Sequence, residues 1–578
     1  MIFLDFETFK YNWLIGYADT STNTFIQFWD DPKRLEQLYE EHKYDIFVGH
    51  NIKGYDQWIF KSILAGFNPI RMNDWIIVKD KPAYQFSSLL RNFPMVVFDT
   101  MVQPKSLKQL EGFMGNSVEE SEVDFRLDRP LTEREKRLTE KYNRHDVEQC
   151  IEVFMNEQNE FDASMGLIQE FPEILNMYDL SLTKAQMSAK ILECERTERN
   201  DEFDLNVLPC IDIKKYKSAC EFFLNEENHW YKRGTEKNEF KLMVASLEHT
   251  LGWGGIHAGR EKYHNDGKRC QIWHVDVASF YPRLMIFHDL LTRNCKKHEK
   301  FRMIYDKRLK LKHEGKKKEQ APLKVVINGT YGICKDKNSN AYDPRQANMI
   351  CLNGQLMLID LIEHLEVIDG FELIQSNTDG LIISLPDTDE AFERMDDICY
   401  EWETRCNMEL EFDQISEIHQ KDVNNYVFKF ANGKLERKGA YVKELSALDN
   451  DLPIVNKALV DYMINGVPVE KTIRECDDME QFQQVKKISA KYEHLKHGDK
   501  ILNEKCVRVY ASKYADGGLF WKSVRTGTYG KVTSTPEQCF IYNSSVKGMK
   551  CPDKLDKNWY IQLALKRLED YGIKSQLK

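Results

Sequence analysis

The sequence predicts a multidomain chain of α/β and α+β parts, and three observations carry that expectation. At 578 residues the chain is longer than one hydrophobic core organises, so about three to five domains or subdomains are expected. Residues 1 to about 105 alternate short apolar runs ("MIFLDF", "WLIGYA", "DIFVGH", "MVVFDT") with helical periodicity such as "DPKRLEQLYEEH", the pattern of an α/β sheet. Two strand-rich stretches, "QIWHVDVASFY" and "FELIQSNTDGLIISL", follow later with helical segments between them.

From "LTEREKRLTEKYNRHDVEQCIEVFMNEQ" to about residue 225 the pattern is mainly helical and charged. A helix is expected in "NMICLNGQLMLIDLIEHLEVI", ahead of the second strand-rich stretch. Beyond about residue 425 come a basic strand pair, a helix in "LPIVNKALVDYMIN", and a mixed C-terminal region. There is no internal repeat, low-complexity tract or long Pro/Gly/Ser linker, so boundaries rest on these shifts of pattern.

Composition narrows the class. With 30% charged and 42% hydrophobic residues the chain reads as an ordinary globular protein, and no stretch reaches the roughly 18 consecutive apolar residues of a membrane span. "MIFLDFETFK" lacks a basic leader and an apolar core, so a cytoplasmic location is expected, that of a host cell if the gene belongs to a phage. Fourteen cysteines without CxxC or finger spacing suggest reduced, mostly buried thiols. A net charge of -11 argues, as an average, against a nucleic-acid binder. Locally the balance reverses in "RLKLKHEGKKK" and in "KFANGKLERKGAYVK", where aromatics interleave. Either run alone is more often a solvated face.

Carboxylates give the first constellation. Asp5 and Glu7 in "FLDFET" stand two residues apart on a strand and so project from one face. "GHNIKGYDQWIF" adds Asp56 at the mouth of a second strand, and "YNRHD" sets Tyr142 and Asp146 on one helix face. Converging, the four acids could hold two divalent cations about 4 Å apart, one activating water and the other stabilising the leaving oxygen of a phosphodiester. Tyr142 would orient the water. Each piece alone is commonly surface charge; their order makes the signal.

In that order the pieces resemble the three exonuclease motifs of the DEDD superfamily, tyrosine variant, as found at the N-terminus of family B DNA polymerases. The resemblance implies an RNase H-like 3′-to-5′ exonuclease domain with Asp5, Glu7, Asp56 and Asp146 as metal ligands. It also implies that Asn51 and Tyr55 bind the single-stranded 3′ end, and that Ser106 and Leu107 of "SLKQL" contact single-stranded DNA. The lysine that protein-primed members carry upstream of the third motif is not found in "NSVEESEVDFRLDR".

A lone carboxylate, Asp276, ends the apolar run in "HVDVASFYPRLM", with Tyr281 five residues behind it. Alone, the window reads as a buried strand entering a turn. Taken with "KVVINGTYG" and "SNTDG", "DVASFYP" resembles motif A of family B polymerases, the other two resembling motifs B and C. The resemblance implies a right-hand polymerase of palm, short two-helix fingers and thumb. Asp276 and Asp379 would hold the catalytic metals, and Arg308, Lys324 and Ser279 would meet the triphosphate. Asn328 and Tyr331, on the helix face of Lys324, would line the nascent pair, and Tyr281 would exclude a 2′-hydroxyl. Gly254 and Gly255 of "WGGIHAG" resemble the element joining the two modules, where close backbone approach to DNA favours glycine. Lys438 and Tyr441 of "ERKGAYV" resemble the Lys-x-Tyr element at the primer terminus, with one residue more between them.

Two further departures are Asn377, where motif C usually has its first aspartate, and Gly329, where motif B usually has serine. The implied organisation is exonuclease 1–165, helical linker and start of palm 166–260, palm with motif A 261–290, fingers with motif B 291–340, palm with motif C 341–425, and thumb plus C-terminal region 426–578. Implied cofactors are Mg²⁺ or Mn²⁺, two ions per active site; implied partners are primer-template DNA and dNTPs, with no membrane, for a monomer of phage or mobile-element type. With 42 residues between Tyr281 and Lys324 and 46 between Gly332 and Asp379, the insertions of protein-primed members have no room. Extension from an ordinary primer with low intrinsic processivity is therefore expected. Two other readings stay open: a nuclease with a weakened polymerase site, and a replication scaffold.

Overall fold

A computed structural model describes residues 1–101 and 103–574. The chain is mixed α/β and divides into two compact units. One comprises 1–183, 445–454 and 473–560; the other comprises 184–444, 455–472 and 561–578. Among the described residues no helix is long and apolar enough to cross a membrane.

The first unit opens with β1 (Ile2–Thr8), β2 (Trp13–Asp19), β3 (Thr24–Trp29), β4 (Ile46–Gly49) and β5 (Val96–Asp99) in one sheet of order β3-β2-β1-β4-β5. β1 is antiparallel to β2 and parallel to β4, which is parallel to β5. Strands buried on both faces read as near-continuous apolar runs, which is how β2, β4 and β5 look in the sequence; β1 is broken only by Asp5 and Glu7 and the terminal Thr8. β3 is polar at Thr24 and Gln27 and lies at the edge. Helices α1 (Pro32–His42) and α2 (Asp56–Leu64) cover one face, burying Leu35, Leu38, Trp58 and Phe60 against Phe6, Trp13 and Phe47. After α3 (Leu107–Phe113), the long α4 (Glu133–Asn156) starts at a capping box in which Thr132 and Glu135 satisfy each other's backbone amides, a device worth about 1 kcal/mol. Its Val147, Cys150, Val153 and Phe154 are buried.

The second unit is organised on an eight-stranded sheet. Its main path uses β6 (Ala258–Gly259), β7 (Cys270–Val277), β8 (Glu372–Ser376), β9 (Gly380–Pro386), β10 (Leu410–Asp422), β11 (Asn425–Phe430) and β12 (Leu435–Lys438), in the order β6-β8-β9-β7-β10-β11-β12. Helices α5 (Phe280–Phe287), α6 (His298–His313), α7 (Lys317–Lys335) and α8 (Pro344–Leu365) lie between β7 and β8 in the chain. α8 is buried over most of its length, polar residues included, as a helix surrounded by protein must be. Most of those polar groups are satisfied: Asp360 takes a bidentate pair from Arg405 at 2.7 and 3.0 Å, and Asn353 Oδ1 accepts from Leu208 N at 2.8 Å, whereas Asn348 Oδ1 is buried with no partner among the described residues.

Residues 473–560 return to the first unit with β13 (Gln484–Lys487), β14 (Tyr492–His497), β15 (Lys500–Leu502), β16 (Cys506–Ala511), β17 (Leu519–Ser523), β18 (Tyr529–Lys531) and β19 (Cys539–Ile541). They form two sheets, β13-β16-β19 and β15-β14-β17-β18. Arg508 explains the return. Its fully buried guanidinium donates to the carbonyls of Gly112 (3.0 Å), Asn116 (2.6 Å) and Ser544 (2.9 Å), fixing β16 against the end of α3. A buried charge is tolerated only when its hydrogen bonds are met. All fourteen cysteines are free thiols, nine of them buried.

Candidate functional site

In the first unit, β1 presents Asp5 and Glu7 toward α4, which carries Asp146. Ligand oxygens from these three lie within 4.8 Å of one another. Asn143, one turn before Asp146, donates to Asp5 Oδ2 at 2.9 Å. Burial first, and then the neighbouring acids, push the Asp5 and Glu7 carboxyls well above the carboxylate range. Burial pushes Asp146 up to about 6 and Asp56 up to about 7. Asp56 opens α2 and accepts from Phe6 N at 3.1 Å through Oδ1, so one of its oxygens is committed to the backbone.

Glu7 Oε1 is buried with no hydrogen-bond partner. A buried oxygen without a partner, amid carboxyls with raised pKa values, is the surrounding a divalent cation would relieve, since a cation reverses each of those shifts. The donor set, all carboxylate oxygen, suits Mg²⁺ or Mn²⁺ rather than a softer metal.

Tyr142 stands half-buried one turn before Asp146, and burial with the surrounding acids raises its hydroxyl far above neutrality. It remains a neutral donor. Above its ring, 4.4 Å from the centroid, sits the Lys108 ammonium, which also pairs with Asp146 and, at 3.1 Å, with Glu111. Glu111 is fully buried, with His145 Nε2 at 3.5 Å; Glu111, His145 and Asp146 form a second group of three potential ligands. Sequence reasoning missed Lys108 and Glu111. Lys108 lies inside "SLKQL", where attention goes to Ser106 and Leu107. Ser106 is the N-cap of α3 with its buried Oγ unpartnered, and Leu107 packs on the Leu110–Phe113 core.

Beside Glu7 opens a cleft of about 720 Å³ lined also by Thr8, Asn51, Tyr55, Ile77 and Phe125. Asn51 adopts a left-handed φ of 65°, with its amide donating to Asp99 Oδ1 at 2.8 Å. Tyr55 OH donates to Asn73 Oδ1 at 2.8 Å. Ile77 and Val78, in a π-helical turn (Asp74–Val78), are 64% and 73% exposed, leaving an apolar wall without cover on the protein itself.

In the second unit, antiparallel pairing sets Asp276 on β7 opposite Gly380, and Val277 N donates to Asp379 O at 2.8 Å. Asp276 and Asp379 are thereby brought side by side. The same strand pairs with β10 on its other edge, setting Asp276 opposite Glu411. Burial, then Asp379, Glu411 and Glu436, push Asp276 up to about 7, opposed by Lys312, which pairs with Glu411 at 2.6 Å. Glu411 and Glu436 had no signal in the sequence beyond lying in charged strands. Unlike the acids of the first unit, these do not form a group of three whose ligand oxygens all lie within 4.8 Å of one another among the described residues; what they share is the hard oxygen chemistry that suits a divalent ion.

Asn377 closes the turn before Asp379: its Oδ1 accepts from Asp379 N at 3.2 Å and Gly380 N at 2.8 Å. Gly255 is needed nearby, because a Cβ there would lie 2.9 Å from Thr378 Oγ1; Gly254 meets no such limit. Ser279 takes a left-handed φ of 54° as the N-cap of α5, and its Oγ accepts from Arg308 Nη1 at 2.8 Å. Arg308 is thus a buried residue of α6 aimed at the end of β7. On α7, Lys324 and Asn328 are exposed and Tyr331 is half-buried, while Leu323, Val326 and Ile327 face the core. Tyr331 packs on Tyr281 with ring centroids 4.5 Å apart. Gly354 of α8 lies beside that ring, where a Cβ would sit in ordinary contact with it, 3.4 Å from Tyr281 Cε1. Gly329 is open: a Cβ there would have Ser188 Oγ, at 3.9 Å, as its nearest neighbour. Lys438 ends β12, exposed, 5.7 Å from the Tyr426 ring centroid. Tyr441 donates to Asp570 Oδ2 at 3.2 Å, with Arg567 4.5 Å over its ring.

No family model matches the chain. A DNA polymerase 1 from Sulfurisphaera ohwakuensis is 24% identical over 196 residues, 34% of this chain and 21% of that relative. The chain therefore spans about a fifth of the length of the curated relative it matches. Among solved structures, a family B DNA polymerase from the hyperthermophilic archaeon Pyrobaculum calidifontis superposes with a TM-score of 0.44 at 13% identity, covering 100% of this chain and 78% of the other.

Proposed function

We propose that this chain is a template-directed DNA polymerase of the family B type, with a separate 3′-to-5′ exonuclease centre. Synthesis belongs to the Asp276–Asp379 centre and trimming to the Asp5–Glu7–Asp146 centre. The carrying observation is the β7–β9 register, which sets two acids from separate sequence motifs next to each other, at the strand end where Arg308 reaches Ser279. The sequence relative named a DNA polymerase adds support.

In this reading the sheet of the second unit is the palm and the α6–α7 hairpin the fingers. Asp276 and Asp379 would hold Mg²⁺ or Mn²⁺, which when bound supplies charge neutralisation for the primer oxygen and the triphosphate. The rest is done by this chain's own groups. Arg308, locked to Ser279, and Lys324, free on its helix face, offer fixed and mobile cations to the triphosphate. Tyr281 packs on Tyr331 and beside Gly354 of α8. A 2′-hydroxyl on an incoming nucleotide would meet that packed ring, which is discrimination by clash. Lys438 would meet the primer backbone as a phosphate contact. Tyr441, fastened to Asp570, would be its rigid companion.

For trimming, Asp5, Glu7 and Asp146 would hold the metal, with Asp56 beside them. Tyr142, kept neutral by its acidic surroundings, would orient water as a hydrogen-bond donor. The cleft of Asn51, Tyr55 and Ile77 would receive an unstacked 3′-terminal nucleotide, its apolar wall suiting a base and its polar floor a sugar. Two observations favour a polymerase over a nuclease alone. Asn377 is occupied in closing a turn, a task in which an aspartate oxygen is equivalent, and Gly329 faces open space where a serine would be no better packed.

The test is a primer-template gel with Mg²⁺, with and without dNTPs. Extension with dNTPs and shortening without them are expected; shortening in both lanes at equal rate would leave only the nuclease.

A further inference from the structure

The second C-terminal sheet, β15-β14-β17-β18, has a face that neither proposed centre uses. Its inner face is committed to the core: Leu495, Leu502 and Leu519 are buried, and Trp521 packs against them and lies across Gly530, where a Cβ would come within 2.4 Å of the indole. Because side chains alternate along a strand, the registers Lys496↔Ile501, Lys496↔Phe520 and Phe520↔Lys531 put those four residues in one row on the outer face. The pair Lys522↔Tyr529 makes the next row.

This outer face interleaves rings and cations. Tyr529 is 47% exposed, its hydroxyl 3.0 Å from His494 Nε2 and its ring 5.4 Å from Lys496 Nζ. Ile501 is 56% exposed. Lys496, Lys522 and Lys531 pair with Asp499, Glu493 and Glu537, but the partner acids are more than half exposed, and such surface pairs are weak and readily exchanged for another anion. Arg525, in the turn between β17 and β18, has no acidic partner within 4.0 Å among the described residues. Over residues 484–541 the chain carries eleven Lys and Arg against five Asp and Glu, in a protein whose totals are 81 and 92. The reversal of charge is local to this module.

We propose that this outer face binds single-stranded nucleic acid without reading its sequence: Phe520 and Tyr529 stack on bases while Lys496, Lys522 and Lys531 follow the phosphates. Rings on a sheet need bases that are already unstacked, which selects a single strand over a duplex, and a local positive field in an acidic protein selects a polyanion. The inference stands apart from the polymerase reading, since the module shares no residue with either centre.

The experiment measures binding of a fluorescent oligo-dT of about 12 nucleotides to the full chain over a salt series, comparing wild type with Tyr529→Ala and with Lys496→Glu/Lys531→Glu. Phe520, being half-buried, is left intact. Tyr529→Ala should bind at least about tenfold more weakly, and the double charge reversal should flatten the log-log salt slope by about 1.4 or more. Iodo-deoxyuridine in the oligonucleotide should photocrosslink to peptides carrying Phe520 or Tyr529. Unchanged binding in both folded variants, crosslinks confined to other segments, equal affinity for a duplex of the same length, or equal displacement by polyglutamate would each overturn the proposal. Primer extension run in parallel separates this result from the functional reading: a chain that binds through this face but does not extend primers refutes only the latter.

Discussion

Lys108 is the strongest single test of the first centre. Its ammonium, 11% exposed, is shared by Asp146 and Glu111, which are 10% and 0% exposed. Replacing it by methionine keeps the volume and leaves two buried acids without a cation. Breaking a buried pair from one side costs about 3–5 kcal/mol, and at about 2–4 °C per kcal/mol for a domain of a few hundred residues the melting temperature should fall by about 6–20 °C. The loss should shrink at pH 5, where Asp146, pushed up to about 6, takes a proton instead. It should also shrink in Mg²⁺, which replaces the missing charge and therefore stabilises Lys108→Met more than the wild type. Differential scanning fluorimetry in EDTA and in Mg²⁺, at pH 5 and pH 8, reads all three effects. A melting temperature within about 2 °C of wild type in EDTA at pH 8 would refute the assignment of Lys108 as the counter-charge of these acids. The same variant should degrade single strands slowly, because Tyr142 loses the cation that fixes its ring.

Other outcomes follow from the same geometry. Asp379→Ala should stop primer extension, whereas Asn377→Asp, which preserves the acceptor for the Asp379 and Gly380 amides, should extend at a rate within a few-fold of wild type in a steady-state assay. Tyr281→Ala should incorporate ribonucleotides at least about tenfold more readily, and Tyr281→Phe should not, because the proposed conflict is steric; a ribonucleotide-to-deoxynucleotide selectivity ratio decides. Stability of the metal-free protein should fall as pH rises from about 4 to about 7: Asp56 and Asp276, pushed up to about 7, hold protons in the folded state that the unfolded chain releases near pH 4, so their contribution is complete at low pH and lost as pH passes their folded values. Urea titrations at pH 5 and pH 8 with EDTA measure it, and equal midpoints would contradict the raised values.

Much of the architecture could be read from local pattern. β2, β4 and β5 are near-continuous apolar runs because both faces of their sheet are covered, β1 is one broken only by Asp5, Glu7 and the terminal Thr8, and α4 shows helical spacing after Thr132 and Glu135. Periodicity places Asp5 and Glu7 on one strand face and Tyr142 and Asp146 on one helix face; that this strand and helix come together was implied only by the resemblance in motif order. What stayed hidden depends on pairing between distant segments. Glu411 reaches Asp276 only through the β7–β10 register, which no local pattern encodes. Lys108 carried no signal because, apart from Glu111 three residues on, the groups that tie it to the site, Asp146 and Tyr142 on α4, lie more than thirty residues away. The seven C-terminal strands span three to six residues each, and five of them, all but β16 and β19, carry lysines, so they lack the apolar run that marks a strand. Residues 426–578, read as one closing region, divide between the two units, and the buried Arg508 that ties 473–560 to α3 looks in the sequence like any surface arginine.

The central claim is that two chemistries reside in two separate carboxylate centres. One gel tests it most directly: a labelled primer on a longer template, with Mg²⁺, run with and without dNTPs for wild type, Asp5→Ala/Glu7→Ala and Asp379→Ala. The account predicts that the first variant extends but does not trim, and that the second trims but does not extend. Loss of both activities in either folded variant, or trimming that survives Asp5→Ala/Glu7→Ala, would contradict it.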